Sequence, residues 1–293
     1  MNKPNFNDDE KKLIEQAARY FEDPGLFMRL LGYTGNWAED GVKRLPEKWQ
    51  AAIKKASTVA IEKCLWAAVK TVASQDNRDK DTTAASQSSK TQSNFHTAAT
   101  AVTGAVSGFF GPEMLIWELP VSTSIMMRSI ASSAQEFGFD LNDPSVLLEC
   151  LFVFSIGGPN PNDDGMDSSY LANKLAFQSA MKAAAEAIAG IPAKTLLSMI
   201  ENQSAPALVR LIAVVADSFG LRVTKKLIAQ MAPIIGAVGG AGINIAFSEY
   251  FGNAARHHFA LKKLALKHSG EFVNEAYQLE AEKIRALKLA KAG

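Results

Sequence analysis

Residues 232–247 read APIIGAVGGAGINIAF, sixteen positions without a charged side chain. A membrane-spanning helix needs about 20 consecutive apolar residues, so the stretch falls short of a span, and Asn244 inside it adds a polar cost. Gly236 and Gly240 stand four apart, the spacing at which small residues line one helix face and let a neighbour approach closely. Two readings follow. One is the glycine-rich apolar central helix of a soluble multi-helix bundle. The other is a segment that dips into lipid or lines a lipid-sized cavity, with Gly236, Gly239, Gly240 and Gly242 as its smooth wall. Either way the stretch is helical and needs helical neighbours.

The rest of the chain supplies them. Asn7 and Glu10 form a capping pair that opens a helix through Phe21. Pro24, Gly25, Gly32 and Gly35 then interrupt the chain, and helical spacing resumes over 47–74 in Trp49, Ile53, Ala56, Ala60, Cys64, Ala68 and Val72. Residues 75–94 lack large apolar side chains and are expected to be a flexible polar linker. Beyond it, Pro120 is placed near the start of a helix over 121–137 that Gly138 ends. Asn142-Asp143-Pro144 caps another, reaching 156, and a turn-rich loop occupies 157–165. Further helices are predicted over 167–189, 193–203, 206–230, 234–251, 253–268 and 271–290. No alternating strand is found. The expected fold is all-α: a helical N-terminal region (1–74), the linker (75–94) and a helical core (95–293), with the first and last packed as one domain.

Composition agrees. The chain has 293 residues, is 47% hydrophobic and 21% charged, which excludes full-length disorder. It holds about 45 alanines, roughly 15% of its residues, a helix-leaning bias. Cys64 and Cys150 are the only cysteines. Their separation points to a reducing compartment, and with a polar N-terminus carrying Asp8, Asp9 and Glu10 the expected location is the cytoplasm. Net charge is +1, which argues against a globally basic nucleic-acid binder. That balance is a cancellation. Segments 1–94, 95–173 and 174–293 carry about +2, −8 and +7. Arg128 is the sole cation of the middle segment and is expected to pair with one of its carboxylates.

Motifs for chemistry are missing. The loop NPNDDGMDSSYL places Asn160, Asn162 and Asp164 at calcium-loop positions but has Leu171 where a bidentate Glu is required. His257 and His258 diverge by about 100° on a helix and make no ready pair of metal ligands. Neither a nucleophile elbow, a phosphate-binding loop nor a dinucleotide fingerprint occurs, so no cofactor and no catalytic residue is assigned. One polar group stands out: Glu118 before Pro120, Arg128 on the next helix and Asp140 after Gly138. Ten residues of helix put Glu118 and Arg128 roughly 15 Å apart, so each needs a partner on another segment. These residues are either helix-stitching ion pairs or the polar anchor of an apolar ligand cavity.

In this order, GFFGPEMLIWELPVSTSIMMRSIASSAQEFGFD (108–140), LECLFVFSIGG (148–158), DDGMDSSYLANKLAF (163–177) and PIIGAVGGAGINIAFSEYFGNAARHHF (233–259) resemble the EcsC family of bacterial proteins. The resemblance covers roughly residues 20–280. It sets Glu118, Pro120, Arg128, Asp140, Asn244, Arg256, His258 and Phe259 on family positions, while His257 stands where a small residue is expected. It implies the helical fold and a position near a transporter system, with no shared reaction or cofactor. The expectation is a non-enzymatic helical protein that binds a lipid, another hydrophobic ligand or the cytoplasmic membrane face, in support of a transporter or envelope process. The basic amphipathic C-terminal stretch with Lys262, Lys263, Lys267, Lys283, Arg285, Lys288 and Lys291 would meet an anionic leaflet. A protein–protein assembly factor with a membrane-protein partner is the alternative, and a hydrolase the third.

Overall fold

The first helix opens by reciprocal capping. Asn7 N–H donates to Glu10 Oε2 at 2.9 Å and Glu10 N–H donates to Asn7 Oδ1 at 2.8 Å, so two amide donors with no intrahelical acceptor are satisfied at once. In the computed structural model, which describes residues 6–22, 45–78, 115–156, 169–231 and 239–292, this helix is α1 (Asp8–Glu22). It buries Ile14, Ala17, Ala18 and Phe21. Eight more helices follow among the described residues: α2 (Glu47–Arg78), α3 (Leu115–Glu136), α4 (Pro144–Val153), α5 (Ser169–Ile188), α6 (Ala193–Glu201), α7 (Pro206–Met231), α8 (Gly239–His268) and α9 (Gly270–Ala292). No strand occurs among them. The fold is all-α.

Most boundaries shift by one to three residues, α4 for instance ending at Val153 where 156 is expected, and three differences are larger. α2 continues to Arg78, so the first four residues of the expected linker are helical; 79–94 lie outside the described residues. α3 begins at Leu115 and carries Pro120 inside it. Pro120, the sixth residue of α3, removes one ladder bond in its second turn. The two helices predicted over 234–251 and 253–268 are one, α8, with Gly252 in its interior. A Cβ at Gly252 would come 3.1 Å from Ser129 Oγ. The glycine serves close packing of α8 on α3, and the chain does not break there. Gly138 does end α3: its φ is +81°, and Phe139 N–H reaches back to Ala134 O at 3.0 Å, a left-handed cap that suits glycine.

α4 occupies the middle. Asp143 caps it, accepting from Ser145 N–H at 2.8 Å, with Pro144 in the first turn. Seven of its ten residues are buried, and it packs against α2, α3, α5, α7 and α8. A helix apolar on nearly every side belongs inside a protein. The end of α4 is held by Arg222 of α7, whose side chain is fully buried. Its Nη1 donates to Phe154 O at 2.9 Å and its Nη2 to Ser155 O at 2.6 Å. Around α4, α2 packs on α3 and α7, α3 on α8, and α5 on α7.

α1 lies on α8 and α9. Glu10 Oε1 accepts from Lys267 at 2.6 Å and from His268 at 2.9 Å. Glu22 accepts from Lys288 through its backbone carbonyl and sits 3.7 Å from Arg285 Nε. The hydrogen bonds from Lys267, His268 and Asn7 hold the Glu10 carboxyl down to about 2. Aromatic stacks fill the interface: Phe6 on Phe272 at 4.5 Å, Tyr20 on His257 at 4.8 Å and Phe21 on Tyr170 at 4.4 Å. Among the described residues no single helix is long and apolar enough to cross a membrane. Ala193–Glu201 with Pro206–Leu227 meets that length and hydropathy only as a pair bent by 67°.

Candidate functional site

The six polar residues singled out from the sequence do not converge on one cluster. Arg128 is exposed and pairs with no carboxylate among the described residues, against expectation, because its position on α3 faces solvent. Asp140 is exposed and closes a turn, accepting from the backbone and side-chain nitrogens of Asn142, each at 2.9 Å. Arg256 bridges α8 to α3 through Glu136 Oε1 at 2.7 Å, at the surface. Glu118 finds its opposite charge across the fold: it acts electrostatically on Lys226 of α7. Lys226 is buried with its Nζ 4.9 Å from the Phe247 ring centroid. Asn244, buried, lies one turn before Phe247 on α8. Gly239, Gly240 and Gly242 open α8; Gly236 lies outside the described residues.

His258 is where the structure assembles a network. It sits on α8, 3% exposed. Its Nε2 is 3.0 Å from Glu149 Oε2 and its Nδ1 is 3.1 Å from Tyr170 Oη. Lys262, one turn further along α8, donates to Glu149 Oε1 at 2.6 Å. Lys174, one turn beyond Tyr170 on α5, donates to Asn274 Oδ1 of α9 at 3.1 Å. Side chains of four helices thus join in one neighbourhood around Glu149, whose carboxylate is bonded directly by the two α8 side chains and which is the only charged residue of α4.

The protonation pattern follows from the geometry. Burial pushes Glu149 up, but hydrogen bonds from His258 and Lys262, together with the Lys262 charge, outweigh it and hold the carboxyl down to about 2. Burial lowers His258, against the pull of Glu149, so the imidazole is neutral. An ionised Glu149 only accepts, so Nε2 carries the hydrogen and Nδ1 accepts from Tyr170. Burial, then the nearby Glu149 charge, raises the Tyr170 phenol, which keeps it a donor. Tyr170 and His258 lie under cover at 1% and 3% exposure. The part of the network partly open to water is Glu149, Lys174, Lys262 and Asn274. Among the described residues no three His, Cys, Asp or Glu side chains group as a metal site.

Sequence reasoning reached His258 but not Glu149, Tyr170 or Lys174, and it read Lys262 only as part of a basic stretch. One local signal existed: Glu149 is a lone carboxylate inside the apolar run LLECLFVF, and such a group is kept ionised only by partners brought from elsewhere. His257, next to His258, stacks on Tyr20, and burial followed by the charge of Arg256 lowers it to about 4. The adjacent histidines thus serve different interfaces.

No curated protein and no solved structure matches the chain. The model of the EcsC protein family matches residues 10–264, a span that holds α1 to α7 and α8 as far as Leu264, and with them Glu149, Tyr170, Lys174, His258 and Lys262. The chain belongs to the EcsC protein family.

Proposed function

We propose that this protein is a non-enzymatic helical protein that binds lipid peripherally at the cytoplasmic face of a membrane, through the last turn of α8 and the outer face of α9. The observation that carries this reading is where large apolar side chains are left in water. Among the described residues these are Val121, Leu175, Leu221, Leu266, Leu279, Leu287 and Leu289, and four of the seven lie on α8 and α9. Leu266, Leu287 and Leu289 are 62–76% exposed.

Helix geometry groups the α9 leucines. Val273, Tyr277 and Ala281 are its buried stripe. At about 100° per residue, Leu279 and Leu289 fall on the opposite half and Leu287 at the edge of the buried stripe, with Lys283 and Ala286 between them. Leucine interleaved with lysine on an exposed face suits a helix lying at the headgroup boundary of an anionic bilayer. The overall basic surplus supports the reading less than the sequence implies. Lys262, Lys267, Lys283 and Arg285 each have a carboxylate partner in Glu149, Glu10, Glu280 and Glu22.

Flotation tests this. The protein is expected to rise with protein-free vesicles of phosphatidylglycerol and phosphatidylcholine. A Leu287→Asp, Leu289→Asp variant should lose at least about tenfold in vesicle binding, since two exposed leucines no longer enter an apolar phase. Wild-type protein that stays at the bottom of the gradient defeats the lipid reading. Binding confined to membranes that retain their proteins would instead favour a membrane-protein partner.

A further inference from the structure

The open end of the Glu149 network holds more positive charge than its carboxylate neutralises. Tyr170 and Lys174 are four residues apart on α5, and His258 and Lys262 four apart on α8. Side chains at that spacing stand one above the other on a helix face. The Tyr170–His258 contact at 3.1 Å is the inner rung of this double ladder. One turn outward, Lys174 feels the charges of both Glu149 and Lys262, so the two lysines form the outer rung.

Glu149 is already committed at that level, to Lys262 at 2.6 Å and to His258 at 3.0 Å. Lys174 donates to a neutral amide oxygen, that of Asn274. With His258 neutral, two ammonium groups face one carboxylate. Half-buried cations ordinarily carry an opposite charge each. The Asn274 oxygen is taken by Lys174, which leaves the amide NH2 as a further donor. Each lysine also has an exposed leucine beside it: Leu175 follows Lys174 and Leu266 lies one turn beyond Lys262.

We propose that Lys174, Lys262 and the Asn274 amide form a binding site for a phosphate-type oxyanion, the phosphate of an anionic phospholipid headgroup. Two ammonium groups and an amide NH2 offer charge-assisted hydrogen bonds to separate phosphate oxygens. The anion supplies the charge that balances the second lysine, and the leucines alongside meet the acyl region. The identity of the source rests on the membrane reading above; the site itself rests on the donor set.

The test separates the two. Thermal unfolding of the full chain is followed with inorganic phosphate against chloride at matched ionic strength, and flotation is scored with phosphatidylglycerol against phosphatidylcholine vesicles. Wild type should gain about 2–4 °C at saturating phosphate, and Lys174→Gln should lose that gain. The same variant should bind phosphatidylglycerol vesicles about fivefold more weakly. Lys262→Gln alone strips Glu149 of its charged partner, so the second variant is Lys262→Gln with Glu149→Gln, for which the same losses are expected. A phosphate response without a vesicle effect keeps the site and assigns it a free oxyanion; a vesicle effect alone keeps it and assigns the headgroup. The proposal is overturned if Lys174→Gln matches wild type in both assays, whatever the wild-type response. Leu287→Asp with Leu289→Asp should keep the phosphate response while losing flotation, so the lipid face and the anion site can fail independently.

Discussion

Arg222 and Lys174 are both cations drawn out of bulk water, and the fold treats them in opposite ways. Arg222 is fully buried and answers to no carboxylate among the described residues. Its guanidinium donates to the carbonyls of Phe154, Ser155 and Ser218 and to the Ser218 hydroxyl. Those first two carbonyls finish α4, where helix carbonyls lack intrahelical donors and the dipole is negative. Burial lowers Arg222 only to about 10, so it stays charged at neutral pH. Lys174 is half-buried, bonded to one neutral amide and close to a second lysine. A cation locked onto backbone carbonyls fixes the geometry of the centre. A cation held loosely by side chains, with charge to spare, is free to answer to something else. Arg222 is thus structural, at the C-terminal end of α4, and Lys174 is left to bind, beside the network that meets α4 at its middle, at Glu149.

The sharpest way to break this contrast is at Arg222. Replacement by Met keeps the stem but takes the guanidinium donors from the Phe154 and Ser155 carbonyls, leaving Ser155 only the Ser218 hydroxyl at 3.3 Å, and is expected to cost about 4 kcal/mol in urea unfolding. Arg222→Lys should recover less than half of that, since an ammonium on one stem cannot reproduce the planar fork that spans both carbonyls. A loss below about 1 kcal/mol on Arg222→Met would mean the clamp does not hold α4.

Glu149→Gln comes next. The amide still accepts from Lys262 but no longer neutralises it, and a loss of about 2–3 kcal/mol is expected at pH 7. The pH dependence carries the sign. The folded carboxyl lies near 2 against 4.5 when unperturbed, so its contribution is full above pH 4.5 and fades as pH falls toward 2. The gap in unfolding free energy between wild type and variant should therefore narrow between pH 5 and pH 3. Glu10, lowered over the same window, is present in both proteins and leaves the difference untouched. A gap that stays constant with pH would show that Glu149 is not the ionised centre of the network.

What could be read in advance divides along the same line. The caps were legible because each is local. Asn7 with Glu10, Asp143 with Pro144, and Gly138 after α3 all act within a few residues, and all appear as expected. Gly252 misled because a glycine inside a helix costs about 1 kcal/mol relative to alanine and reads as a stop. Its compensation, the approach of Ser129, is a tertiary contact that no local window contains. The site follows the same rule. His258 stood out as a type of residue, but its partners Tyr170 and Glu149 are 88 and 109 positions away. Arg128 and Asp140 stood out by charge, and the fold leaves one to solvent and uses the other to close a turn.

Tyr170→Phe makes the finest cut, inside the Glu149 network itself. It removes one hydroxyl from the buried rung and leaves the aromatic stack on Phe21 in place. His258 Nδ1 then lacks its donor, and a buried acceptor left without one costs about 1 kcal/mol. Nε2 remains bound to Glu149, so nitrogen-15 shifts should report the Nε2–H tautomer of His258 in both proteins at pH 7. If the shifts of wild type instead show Nδ1 protonated, the imidazole is either charged or reversed. A charged ring would add to the positive surplus; a reversed one would turn its lone pair on Glu149 and repel it. The outer rung would respond in kind: beside a neutral imidazole Lys174→Gln should change stability by no more than about 0.5 kcal/mol, whereas beside a charged one it would relieve a like-charge repulsion and raise stability by more than that.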